Sequence, residues 1–244
     1  MSPVVPPRNA RRCARRRTRW LAAGVVALAA ALRLSWLNHI EFKTDEAAAC
    51  WMAAGLAQGR TFPTAGLMSG VGVRNPPAFV YLMALPSLAA TDPRWLTAFV
   101  AALNVIAVWL CWRTGKAFFG LRAGWVGALL FAASPWAVIY SRKVWAQDAL
   151  PLLCTALLFA LLQLVVRGRR GWTFVVVLLA LLAPQIHFSG FCALLLTLGV
   201  LIAHRPALSS KGVAAGLAAA TLIAMPYLCQ QRRSGLEDVR GAVR

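Results

Sequence analysis

Acidic side chains are almost missing from this chain: 244 residues carry seven Asp and Glu against twenty-six Lys and Arg, a net charge of +19. None of the seven falls in the middle of an apolar run. That argues against a proton-coupled transporter, in which carboxylates at mid-membrane depth would carry the ion. Cysteine supplies no framework either. The six cysteines, at 13, 50, 111, 154, 192 and 229, show no C-x-x-C and no metal-ligand spacing, and most read as small apolar residues in helices. Cys50 and Cys229 fall on one side of the topology below but are not read as a disulfide.

Hydrocarbon is what the chain has in excess. Hydrophobic residues make up 60% of it, with ten Trp, and apolar runs of roughly 15 to 20 residues recur along its length. The fold class is all-α, a polytopic helical membrane protein. Most basic residues sit in short segments between apolar runs, so the positive charge encodes topology and not a nucleic-acid surface.

Residues 1–19 are proline-rich and then carry Arg8, Arg11, Arg12, Arg15, Arg16, Arg17 and Arg19, as in a disordered basic tail on the cytoplasmic side. The rival reading, a signal peptide with 21–32 as its apolar stretch, is opposed by the continuation through Arg33 and Trp36 and by the later spans. A transmembrane domain is expected over 20–228, with a first span at 20–37 and an external loop at 38–94. Within that loop, 45–58 reads as a helix capped by Thr44 or Asp45 and ended by Gly59, and 60–77 reads as glycine- and proline-rich loop. Residues 78–90 are apolar but contain Pro86 and fall short of the roughly 20 residues needed to cross. They are expected to be a re-entrant or interfacial half-helix. Spans follow at 95–112, 123–140, 149–166, 172–186, 190–203 and 212–228, making about seven in all. Residues 229–244 are expected to form a polar external tail.

If 78–90 does not cross, the loops bearing Arg113, Lys116 and Arg122, then Arg167, Arg169 and Arg170, then Arg205 and Lys211 all face the cytoplasm, as basic loops do. If it crosses, every later loop inverts. The first arrangement, which is preferred, places all seven acids, Glu41, Asp45, Glu46, Asp92, Asp148, Glu237 and Asp238, on the outer side.

Scarcity makes Asp45 and Glu46 conspicuous. They either start a helix, at whose positive end acids are favoured, or serve as base or ligand in a reaction at the membrane surface. A second cluster, Tyr140 to Asp148, lies at the next outer turn and contains Arg142 and Lys143 on the side that topology leaves neutral. An anion explains cations placed there, either Asp148 or a phosphate; snorkelling to lipid is the alternative. Arg33, near the outer end of the first span, snorkels or points at the same anion. His187 falls at the third outer turn, where a lone histidine is more often hydrogen-bonded than a metal ligand. Arg74, Asn75, Pro76 and Pro77 read as a rigid turn at the rim of a cavity. Asn104 and Gln163 read as interhelical hydrogen-bonders. Such parts suit a carboxylate taking the proton from an acceptor hydroxyl as it attacks a sugar's anomeric carbon, with cations or a metal stabilising the departing phosphate.

The order Arg33-Leu34, Thr44-Asp45-Glu46-Ala47, Asn75 to Tyr81, Arg94 opening a span, and Tyr140 to Gln147 resembles the GT-C glycosyltransferases. Within them it is most similar to the protein mannosyltransferase and aminoarabinose-transferase-like branch, glycosyltransferase family 39-like, of bacterial multi-pass enzymes. The resemblance covers 21–228. It implies transfer of a hexosyl or pentosyl unit from a polyprenyl-phosphate-linked sugar to a lipid, glycan or protein acceptor on the outer face of a bacterial inner membrane, with the N-terminus cytoplasmic. Asp45, Glu46 and Asp148 take the catalytic positions; Arg142, Lys143 and Arg33 take the donor-phosphate positions. The resemblance leaves the cofactor open, a divalent metal with His187 and Glu46 as candidate ligands being one choice. Family members are usually longer, so the chain is expected to correspond to an N-terminal half. The other function the sequence admits is a non-catalytic multi-pass protein, a transporter or an assembly partner in envelope glycan export.

Overall fold

The structure, a computed structural model, describes residues 8–39, 41–70 and 72–235, and the backbone alone for 8–19. Glu237 and Asp238 lie outside the described residues. The helices are α1 (Arg8–Leu34), α2 (Thr44–Ala57), α3 (Ala78–Ser87), α4 (Pro93–Phe118), α5 (Leu121–Ala133), α6 (Pro135–Tyr140), α7 (Leu150–Val165), α8 (Thr173–Ile186), α9 (Phe191–His204) and α10 (Ser210–Arg233). Every expected span falls mostly on helix, as it must where a backbone in hydrocarbon satisfies its hydrogen bonds within its own segment. Among the described residues, three helical stretches are long and apolar enough to cross a membrane by themselves: Pro93–Phe118, Ala146–Val165 and Ser210–Arg233. Shorter apolar helices, among them Trp20–Leu34, Leu121–Ala133, Arg170–Ile186 and Phe188–His204, pack beside them.

Three differences from expectation have local causes. Residues 8–19, expected as an irregular tail, continue α1, in keeping with the good helix propensity of Arg and Ala. The span expected at 123–140 is broken at Ser134, whose Oγ caps α6 by accepting from the Ala137 N–H, with Pro135 at the first helical position. Residues 229–233, expected in a polar tail, extend α10.

Two apolar clusters lie within the helix bundle. Val25 and Ala29 of α1 pack on Val108 and Trp112 of α4 and Ala128 and Ala132 of α5. Leu157, Ala160 and Leu164 of α7 pack on Val176 and Ala180 of α8. The α4–α5 contact requires glycine: a Cβ on Gly115 would stand 2.6 Å from the Gly124 Cα, so small residues set the helix separation. Both ends of the bundle can be told apart by composition. Arg113, Lys116, Arg122, Arg167, Arg169, Arg170, Arg205 and Lys211 gather at one. There Arg167 Nη2 donates to the Ala117 carbonyl at 2.9 Å and the Ser209 N–H donates to Thr173 Oγ1 at 3.1 Å.

A third cluster closes the opposite end. It joins Ala49, Cys50 and Ala53 of α2, Phe79 and Met83 of α3, Leu96 and Val100 of α4, Val144, Ala146 and Ala149, and Ile186 of α8. With 10 residues, α3 is about 15 Å long, half of a hydrocarbon core of about 30 Å. Its first residues follow Asn75, whose Oδ1 accepts from the Phe188 N–H at 3.2 Å, and its last turn offers the Pro86 carbonyl to Trp95 Nε1 at 3.0 Å. Both partners belong to this end of the bundle, so α3 lies along the rim as the half-helix expected. The glycine-rich stretch before it folds back as a tight hairpin bonded Gly66 to Asn75, with one antiparallel bridge, Met68 to Arg74. Tyr227 of α10 donates its hydroxyl to the Arg74 carbonyl at 2.9 Å and fastens the hairpin down. α4 opens on Asp92, whose Oδ1 accepts from the Arg94 N–H at 2.8 Å; hydrogen bonds from the Arg94 side chain hold that carboxyl below its ordinary range.

Candidate functional site

The first wall of the site is α2. The sequence suggests Thr44 or Asp45 as its cap; the structure places Lys43 there in extended conformation, and a lysine side chain has no lone pair to accept with. Glu46 compensates. Its Oε2 accepts from the Lys43 backbone N–H at 3.0 Å, the N3 half of a capping box. At the far end Gly59, at φ 67°, ends the helix as expected: Arg60 N–H bonds Gly55 O at 2.9 Å and Gly59 N–H bonds Leu56 O at 3.0 Å, a Schellman motif. Glu46, Ala49, Cys50 and Ala53 form the buried stripe. Asp45 is one residue off that stripe and exposed, and its carboxylate makes no hydrogen bond or ion pair among the described residues. Burial, then the Glu46 charge one turn away, pushes the Cys50 thiol up to about 11.

The second wall is the stretch from Ser134 to Ala149. Pro135 has no N–H to give the Phe131 carbonyl, and the break at Ser134 frees the Ala132 carbonyl as well. Arg33, fully buried, takes both: Nη2 donates to Phe131 O at 2.9 Å and Nη1 to Ala132 O at 2.9 Å. Arg142 returns the contact in the other direction. Its Nη2 donates at 2.7 Å to the carbonyl of Trp36, a left-handed residue at φ 51° just past α1. The two arginines thus tie the ends of α1 and α5–α6 to each other. Arg33 is expected at a donor phosphate; both its terminal nitrogens meet helix carbonyls at the proline break, and its Nε is buried without a partner. Arg142 retains a buried Nε without a partner.

Asp148 lies on a single 3-10 turn, Ala146–Ala149, and is 5% exposed, with Oδ2 buried and unpartnered. Asn104 of α4 fixes its backbone: the Asn104 amide donates to Val100 O at 3.1 Å and to Asp148 O at 2.8 Å. Asn104 is therefore the interhelical bond expected, whereas Gln163 accepts from Arg167 on its own helical turn. Since Asn104 is about eleven residues into α4, roughly 16 Å from its first turn, Asp148 is recessed below the layer formed by α2 and α3. Its charged neighbours are Lys143 and Glu46. Lys143 is mostly buried and pairs with Glu41, which Lys43 also contacts. Its ammonium stands 5.5 Å from the Tyr140 ring centroid and 5.3 Å from that of Trp145, close enough for cation–π attraction.

Of the residues singled out in the sequence, the structure therefore gathers Glu46, Asp148 and Lys143. Asp45 stands beside them in the chain with its side chain outward, and Arg33 and Arg142 serve carbonyls. His187 turns to Ser189, with Nδ1 2.9 Å from its Oγ, and burial lowers the pKa of the imidazole. No group of three His, Cys, Asp or Glu side chains suited to a metal occurs among the described residues. Glu41 and Lys43 were missed as site residues. The only signal was scarcity, since Glu41 is one of seven acids; its pairing with a lysine 102 positions away has no sequence period.

The arrangement is a recessed polar floor beside the short, largely apolar helix α2, at the end of the bundle opposite the basic loops. No curated protein and no solved structure matches the chain. The dolichyl-phosphate-mannose-protein mannosyltransferase family matches it over residues 74–229, from the hairpin through α10 and including Arg142, Lys143, Asp148 and His187. The chain belongs to this family, and with it to the GT-C membrane glycosyltransferases.

Proposed function

We propose that the chain moves a hexosyl or pentosyl unit from a polyprenyl-phosphate carrier to an acceptor hydroxyl on the outer face of a bacterial inner membrane. The N-terminus is then cytoplasmic. The observation that carries this reading is the recessed Asp148 with its unpartnered oxygen beside Lys143 and Glu46, roofed by the helix that exposes Asp45. In the reaction, the Asp45 carboxylate takes the proton of the acceptor hydroxyl as its oxygen bonds to the anomeric carbon. The bond from that carbon to the phosphate oxygen breaks, and the electron pair leaves with the lipid phosphate. Lys143 offsets the charge that develops there. Glu46 holds the first turn of α2, and with it Asp45, in place through the Lys43 amide. Asp148 acts on Lys143 from below.

Purified chain in proteoliposomes, given tritiated mannosyl-phosphoryl-polyprenol or tritiated GDP-mannose with a serine-rich peptide, decides between donors. Transfer from the lipid-linked sugar alone is expected; transfer from the nucleotide sugar overturns the proposal. Orientation is tested at Gly70, which is exposed and has nothing within 4 Å of an added Cβ. In a cysteine-free background, Gly70→Cys should react with an impermeant maleimide in intact cells, whereas reaction only after permeabilisation would invert the topology.

A further inference from the structure

Glu41 takes no part in capping α2 or α4 and is held by side chains from two separate loops. Two lysines hold it, on separate oxygens: Lys43 at Oε1 and Lys143 at Oε2. The lysines come from different loops and differ in exposure, the Lys143 side chain at 13% and that of Lys43 at 73%. Two ammonium groups on two oxygens of one anion is also the way cations grip a phosphate.

We propose that Lys43 and Lys143 form an anion site for the phosphate of a lipid-linked substrate, and that Glu41 is its resident stand-in, displaced when the phosphate arrives. The inference rests on the donor reading above and adds Lys43 and Glu41 to it. Charge supports the exchange. A carrier phosphodiester bears a single negative charge, the same as the carboxylate it replaces, and two lysines with one anion leave a local charge of +1 in both states. After the sugar has left, the lipid phosphate is a monoester of about −1.5 to −2 at neutral pH. The pair of lysines therefore gains attraction as the leaving group forms, which is the differential stabilisation that catalysis needs. Glu41, a third exposed, can swing to water without leaving a buried charge behind. Tyr140 and Trp145 keep the Lys143 ammonium in position whichever anion is present.

The test is binding without transfer, using the full chain in phosphatidylcholine nanodiscs. Geranylgeranyl phosphate is titrated and intrinsic tryptophan fluorescence followed, with empty nanodiscs as the partition blank. Lys43→Ala and Lys143→Ala are each expected to weaken binding about tenfold, the scale of a lost charged hydrogen bond, and Lys43→Arg to restore most of it. Glu41→Gln is expected to tighten binding several-fold, because the competing charge is gone. Weaker or unchanged binding by Glu41→Gln overturns the stand-in role, and unaffected binding in both lysine variants overturns the site. Nanodiscs containing phosphatidylglycerol separate the two sources of lipid phosphate. Retained binding of the probe there supports a substrate site, whereas its abolition assigns the lysines to bulk headgroups and overturns the proposal. Because no sugar is present, failure of the transfer reading leaves this result standing, and failure of the lysine site leaves transfer measurable.

Discussion

Replacing Asp45 with asparagine is expected to lower transfer from a lipid-linked sugar by about a hundred- to ten-thousand-fold, the usual contribution of a general base, while leaving the folded protein almost as stable as before. The two halves of this expectation come from one observation. Asp45 is exposed and unpartnered at the first turn of α2, so the substitution removes a proton acceptor and breaks no contact. Only its attraction to the helix dipole is lost, about 0.5 kcal/mol. Single-turnover transfer in proteoliposomes, read beside thermal unfolding, checks both. Activity within threefold of wild type would remove Asp45 as the base, and attention would then pass to the buried Glu46.

Arg33→Ala is expected to act on stability first. With no guanidinium, the Phe131 and Ala132 carbonyls lose their donors at the proline break, and each unpaired group costs about 1–3 kcal/mol. Together with the vacated volume, the loss should reach about 3–6 kcal/mol. Arg33→Lys should recover part of it, since an ammonium can serve a carbonyl but lacks the planar fork that reaches two. Unfolding in mixed micelles measures the change. A variant of wild-type stability that fails to bind polyprenyl phosphate would instead return Arg33 to the phosphate role first expected from the sequence.

Those two residues also mark how far the sequence could be read. The helical class, the half-helix at α3 and the end of α2 at Gly59 were legible because each depends on a short-range property: length against bilayer thickness, a proline, a left-handed glycine. The break at Ser134-Pro135 was equally local and was passed over because the apolar run continues through it. Arg33, Arg142 and Lys143 give the same signal, a cation on the wrong side of the topological bias, yet they have three different partners. Which anion or carbonyl each one meets depends on contacts about a hundred positions apart, and no spacing encodes that. Asp45 and Glu46 were likewise indistinguishable as neighbours until the α2 stripe put one inward and the other outward.

The arginine exchange between the ends of α1 and α5–α6 also bears on how the chain is made. Phe131 is synthesised 98 residues after Arg33, an interval of about 5–20 s at ordinary elongation rates. Throughout it the first helix carries, in its last turn, a guanidinium whose acceptors on α5 do not yet exist. Until they do, Arg33 can reach the headgroups by snorkelling and pass to the Phe131 and Ala132 carbonyls when α5 emerges beside it. Ribosome pausing between these two segments would prolong the exposed state, and the accessibility of a label at position 33 during biogenesis would report it.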